Sequence, residues 1–136
     1  MDDPISHLPG YALRRASNAM MTAFAQALEP TGLRASEATA LILIKANPGI
    51  AQSRLCAALD IQSANMTPML TRLEQRGLVE RKPVNGRTNG LYLTVKGASV
   101  ASQVHTIIDA HEAALVARLP EEHRAHLLPA LQALRD

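Results

Sequence analysis

Residues 52–94 read QSRLCAALDIQSANMTPMLTRLEQRGLVERKPVNGRTNGLYLT, and the order of their periodicities decides the fold. Leu55, Ala58 and Leu59 recur at helical spacing and predict a short helix over about 52–59. Asp60-Ile61-Gln62 then makes a turn. A second helix follows with Met66, Met69, Leu70 and Leu73 inward and closes at Gly77 as a left-handed cap. Two helices across a short turn, the second rich in small polar side chains, form a helix-turn-helix pattern. Next come strand-like runs at 78–82 and 91–94 around a Gly/Asn-rich connection, 83–90, which predict a β hairpin. A hairpin tipped by Arg87 directly behind a helix-turn-helix reads as a wing, because a long cationic side chain suits a narrow minor groove.

Upstream, Leu13, Ala16, Met20, Ala23, Ala27 and Leu28 predict a helix over about 10–29, stopped by Glu29-Pro30-Thr31-Gly32. Ser36 is the expected cap of the next helix, which carries Ala40, Leu41, Leu43 and Ile44 and ends at Asn47-Pro48-Gly49. Downstream, Thr94 is the expected cap of a long helix over about 95–118. A last helix begins near Pro120 with Leu127, Leu128, Leu131 and Leu134, and Pro129 is expected to kink or split it. The expected architecture is mainly α with a small β hairpin. It places a winged helix-turn-helix at 35–94 between an N-terminal dimerisation helix, 1–34, and C-terminal dimerisation helices, 95–136. The terminal helices carry more apolar surface than this small core covers. A two-fold homodimer satisfies that excess and sets two recognition elements about 34 Å apart on one face of DNA.

Composition agrees. At 136 residues the chain suits one domain, and 23 Ala and 19 Leu against only Tyr11, Phe24 and Tyr92 favour aliphatic helix packing. The net charge of +2 is unevenly spread: residues 51–97 carry seven basic against three acidic side chains, a segment suited to a polyanion. No aromatic lies between Arg54 and Arg87 to stack splayed bases, so double-stranded DNA is favoured over single strands or RNA. No apolar run approaches the length of a membrane span and the first residues are acidic, so the expectation is a cytoplasmic protein without membrane contact. The lone Cys56 cannot form an internal disulfide, and no Cys/His spacing matches zinc. With no phosphate loop, nucleophile motif or convergent acid/base set, neither an enzyme nor a cofactor is expected.

The stretch RLEQRGLVER at 72–81, followed by GRTNGLYLTVKG at 86–97, resembles the MarR family of winged-helix regulators, as does the opening LPGYALRRASNAM at 8–20. The resemblance covers almost the whole chain. It implies a homodimeric repressor or activator on a palindromic operator, its wings straddling adjacent minor grooves, the preferred reading being a repressor released by a small anionic or phenolic ligand. The pattern departs at two places. Asn85 stands where the family usually has Asp, so the ion pair expected to brace Arg87 is absent or replaced by a neutral hydrogen bond. Thr67 is followed by Pro68, so the recognition helix either starts late, with Asn65 as its cap, or kinks there; the late start is the preferred reading.

Candidate base-reading side chains are Gln62, Ser63, Asn65, Met66, Thr67 and Thr71. Asn65 can pair with adenine or cap the helix, and Thr67 can meet a thymine methyl. Arg54 and Arg72 suit phosphates, although Arg72 can instead brace Glu74 or Glu80. Arg87 is the foremost contact, with Arg81 and Lys82 at the wing base. By location in the resembled family, His7, Tyr11, Arg15, His105 and His111 are candidates for an effector site. His123 and His126 read as a solvated pair, and Cys56 as packing rather than an oxidant sensor. The rival readings are a ligand-independent or cysteine-oxidation-sensing regulator and a helical dimer acting only through protein contacts.

Overall fold

The computed structural model describes residues 1–135. Helix α1 (Pro9–Ala27) leads through a 3-10 turn (Glu29–Thr31) to α2 (Ala35–Ala46), α3 (Gln52–Leu59) and α4 (Ser63–Gln75). Strands β1 (Val79–Asn85) and β2 (Thr88–Leu93) follow, then α5 (Val95–Ala117), a second 3-10 turn (Glu121–His123) and α6 (Arg124–Arg135). This is the mainly helical, hairpin-bearing architecture that the sequence predicts.

The core gathers one stripe from each central element. Leu41 and Ile44 of α2, Leu55 of α3, Met66, Leu70 and Leu73 of α4, Leu91 of β2 and Val104 of α5 are all fully buried. Each such side chain contributes about 1.5–3 kcal/mol by leaving water. Phe24 and Leu28 pin the end of α1 onto this core, whereas Leu8, Leu13 and Met21 stay exposed. On α6 no residue is buried, and Leu128 and Leu134 are 63% and 70% exposed.

The wing is a two-stranded antiparallel sheet, extended at its base by a bridge between Ile50 and Leu91. Gly49 donates its N–H to Leu91 O at 2.8 Å and holds φ at +85°, with Tyr92 Oη only 2.9 Å from where a Cβ would sit. The register slips between Pro83 and Asn85, leaving a two-residue connection, Gly86-Arg87. The strands are therefore longer and the turn tighter than predicted. The reason is at Asn85, whose side-chain oxygen accepts the Thr88 N–H at 3.1 Å and the Arg87 N–H at 3.4 Å.

Helix starts differ from expectation in three places. Ser36 does not cap α2: the helix begins at Ala35, and Glu37 Oε1 accepts the Arg34 N–H at 2.9 Å, reaching back from the first turn. Asn65 does not cap α4, which begins at Ser63 and runs through Pro68. Continuation is tolerated because Ala64 and Pro68 are both exposed, so the Ala64 carbonyl that the proline cannot pair lies on the solvent side of the helix. Likewise Pro129 does not split α6, which runs unbroken from Arg124 after a 3-10 turn beside Pro120.

The junction from β2 to α5 is tightly determined. Thr94 accepts the Gly97 N–H at 2.9 Å and donates to the Gly77 carbonyl, while Lys96 Nζ donates to Arg76 O at 3.0 Å, at the C-terminal end of α4. Gly97 itself lies against Leu78: a Cβ there would stand 1.9 Å from the Leu78 carbonyl oxygen.

Candidate nucleic-acid interface

Successive α4 residues turn by about 100°, so burial of Met66, Met69, Leu70 and Leu73 fixes the opposite face. The outward crest is Ala64, Pro68, Thr71 and Gln75, all exposed. Asn65 and Arg72 flank it on the α2 side, and Thr67 and Glu74 on the side of α3 and the wing. Gln75 escaped notice in the sequence, although extending the Ala64-Pro68-Thr71 row reaches it. Met66 is a correction: it is fully buried, so it packs α4 against the core and is withdrawn from the base-reading set.

Asn65, freed from capping, is exposed with no side-chain hydrogen bond among the described residues, as are Gln62 and Ser63. Thr67 is partly engaged, its hydroxyl donating to Ser63 O at 3.3 Å and accepting from Gln52 Nε2 at 3.1 Å. Thr71 donates to Thr67 O at 2.9 Å and is exposed on the crest.

The arginines divide into two kinds. Arg54 and Arg87 are exposed and have no hydrogen-bond or ion-pair partner among the described residues. Arg72 and Arg81 are anchored. Arg72 Nε lies 3.3 Å from Glu37 Oε2, not beside Glu74 or Glu80; its partner is a nearly buried carboxylate that also closes the start of α2. Arg81 Nε donates to Glu74 Oε1 at 2.9 Å and Nη1 donates to Gln52 Oε1 at 3.0 Å. Through Gln52 and Thr67, this chain of contacts fastens β1, α3 and α4 together. Neither Gln52 nor Glu74 carries a sequence signal for this role, since they meet Arg81 only in the fold. Lys82 stands 3.0 Å from Glu80 and 5.5 Å from the Tyr92 ring centroid. The result is a polar, partly cationic surface made by α4, the first turn of α3 and the hairpin, with two arginines uncommitted.

A family model described as "MarR family" matches residues 33–86, which hold α2 to α4 and the first strand of the wing. Over the whole chain, the transcriptional repressor CouR, solved bound to a 23-mer DNA duplex, superposes with a TM-score of 0.88 at 32% identity, covering 97% of this chain and 95% of CouR. The chain belongs to the MarR family. CouR bound to p-coumaroyl-CoA gives a TM-score of 0.86, again at 32% identity, covering 96% of this chain and 93% of CouR. The HTH-type transcriptional repressor Rv2887 of Mycobacterium tuberculosis is 29% identical over 112 residues, 81% of each chain. In complex with salicylic acid its structure matches with a TM-score of 0.74 at 27% identity, covering 98% of this chain and 97% of Rv2887. MarR membership makes this chain a DNA-binding transcriptional regulator.

Where α1 and α5 meet α2 and the turn after α3 lies a cavity of about 480 Å³. Met20, Phe24, Thr39, Ile108, His111 and Glu112 are among the residues that line it. Of the five effector candidates only His111 is there, its ring centroid 5.1 Å from that of Phe24. His7 and His105 are exposed away from it, and Tyr11 and Arg15 pair with each other along α1, the guanidinium 5.9 Å from the ring centroid. Cys56 is half-buried in α3, and His123 and His126 are exposed, one in the second 3-10 turn and one in α6. Among the described residues, no helix is long and apolar enough to cross a membrane.

Proposed function

We propose that this chain is a homodimeric repressor that binds a palindromic duplex operator and is released by a small molecule in the cavity beside His111. The observation that carries the reading is one of placement. Exposed apolar side chains on α1 and α6 flank a winged helix-turn-helix whose α4 crest and free wing arginine face outward. Pairing through the termini covers the former and duplicates the latter. Family relatives support the DNA and ligand parts: CouR has been solved bound to a 23-mer DNA duplex and bound to p-coumaroyl-CoA, and Rv2887 in complex with salicylic acid.

In this reading Asn65, with Gln62, Ser63, Thr67 and Thr71, meets base edges, Arg54 meets phosphate, and Arg87 enters the minor groove. Arg72 and Arg81 act mainly by holding α4 and the wing in place, each presenting what remains of its guanidinium to the backbone of the duplex. Domain limits of 1–34, 35–94 and 95–136 fit this division of labour.

A gel shift on the chain's own upstream DNA across a salt series is the direct test. Affinity is expected to fall steeply as salt rises; a flat response overturns the reading. Arg87→Ala is expected to weaken operator binding by about 1–3 kcal/mol and to reduce the salt slope by about one counterion. An unchanged slope removes Arg87 from the contact set. Gln52→Ala is expected to act otherwise: it loosens Arg81 and Thr67 without removing a charge, so affinity drops by about 1 kcal/mol while the salt slope stays constant. A Gln52→Ala protein with wild-type affinity would show that the contact does not position the wing.

A further inference from the structure

The charge around the α1–α2–α5 cavity points to the kind of ligand it admits, an inference that rests on the effector reading above. Its walls are mainly apolar, from Met20, Phe24 and Ile108, and the neutral hydroxyl groups of Ser36 and Thr39 also line it. The charged side chains that line it are both acids, Asp60 and Glu112; no lysine or arginine does. Asp60 lies 3.8 Å from Arg135, with both side chains more than three-quarters exposed. Glu112, on the exposed rim that α5 gives the cavity, has no ion-pair partner among the described residues, so both acids present negative charge to an entering ligand. Further in, His111 Nε2 is buried without a hydrogen bond, in a ring that leans on Phe24.

We infer that this cavity selects an uncharged aromatic ligand, a phenol or an aromatic acid masked as its ester or thioester, and discriminates against the free carboxylate. A ring suits the apolar walls in either form. A free carboxylate, however, gives up hydration on entry, finds no cation among the lining side chains and faces Glu112 as a like charge. A neutral ester loses little on desolvation and still accepts from the Ser36 hydroxyl, the Thr39 hydroxyl being spent on the Ala35 carbonyl at 2.9 Å. A phenolic hydroxyl adds a partner for His111 Nε2, which is closed off from solvent without a hydrogen bond, once that ring turns toward the cavity.

The test uses matched pairs differing only in the acid group: methyl 4-hydroxybenzoate against 4-hydroxybenzoate, and methyl salicylate against salicylate. Titration calorimetry at neutral pH on the full-length protein reads affinity, and operator release is followed in parallel. The esters are expected to bind at least about tenfold more tightly than the acids, a difference of about 1.4 kcal/mol. Glu112→Gln is expected to narrow that ratio by strengthening the acids alone. Ala58→Phe, which fills the cavity from an exposed position of α3, is expected to abolish ester binding while circular dichroism stays unchanged. If the acids bind as tightly as the esters and Ala58→Phe abolishes both, charge selection fails while the effector cavity stands. If no probe binds, or binding survives Ala58→Phe, the cavity reading fails and takes this inference with it.

Discussion

A Leu128→Glu/Leu134→Glu protein is expected to sediment as a monomer and to bind operator roughly 10²–10⁴-fold more weakly than the wild type, with its helical content intact. Both side chains are largely exposed in the single chain, at 63% and 70%, so the substitutions remove nothing from the core. What they remove is the apolar seam through which, in the proposed dimer, a second copy attaches. Two half-sites bound by linked heads gain from effective concentration, and a monomer forfeits that gain entirely. Analytical ultracentrifugation and a gel shift on the same preparations decide the matter. If the variant stays dimeric, α6 is not the seam. If it is monomeric yet binds within tenfold of wild type, pairing of the heads is not what generates affinity.

Gly97→Ala is expected to cost at least about 3 kcal/mol, lowering the melting temperature by roughly 10–20 °C. Alanine ordinarily favours a helix over glycine by about 1 kcal/mol, so propensity alone predicts the opposite sign. Sterics win because the added methyl would stand 1.9 Å from the Leu78 carbonyl oxygen, which is backbone and cannot swing aside. That carbonyl also accepts the Thr94 N–H, so moving it disturbs the α5 cap. Gly10→Ala is the control: a Cβ there meets nothing within 4 Å, and stability is expected to hold or rise slightly. Equal melting temperatures for the two variants would show that the close approach at Gly97 relaxes without penalty.

The central organisation was legible because it rests on local periodicity. Leu55, Ala58 and Leu59 placed α3 at 52–59, and Thr94 marked the start of α5 through a hydroxyl contact only three residues long. The misreadings arose where a distant group outranked a local preference. Ser36 is a good cap by type, but Glu37 closes the turn from inside it while holding Arg72 from 35 residues away. The proline rule argued for a late start at Asn65, yet an exposed carbonyl removes most of the penalty on which that rule depends. Met66 is inward by spacing and outward by nearness to the helix start, and spacing is the better guide because burial on α4 follows its stripe. In the effector region the sequence offered five residues by location; only the packing of α1 against α5 shows that His111 alone reaches the cavity.

The tip of the hairpin is steadied by a carboxamide that grips main-chain N–H groups and leaves the guanidinium of Arg87 alone. A neutral clasp neither titrates nor weakens as ions are added, so acidity and brine leave the bend of the finger unchanged. In the proposed complex the arginine also arrives at its polyanion with its full unit of charge, having no carboxylate neighbour to desert. Ionic sensitivity at this point therefore belongs to the encounter itself and not to the shape of the protein beforehand.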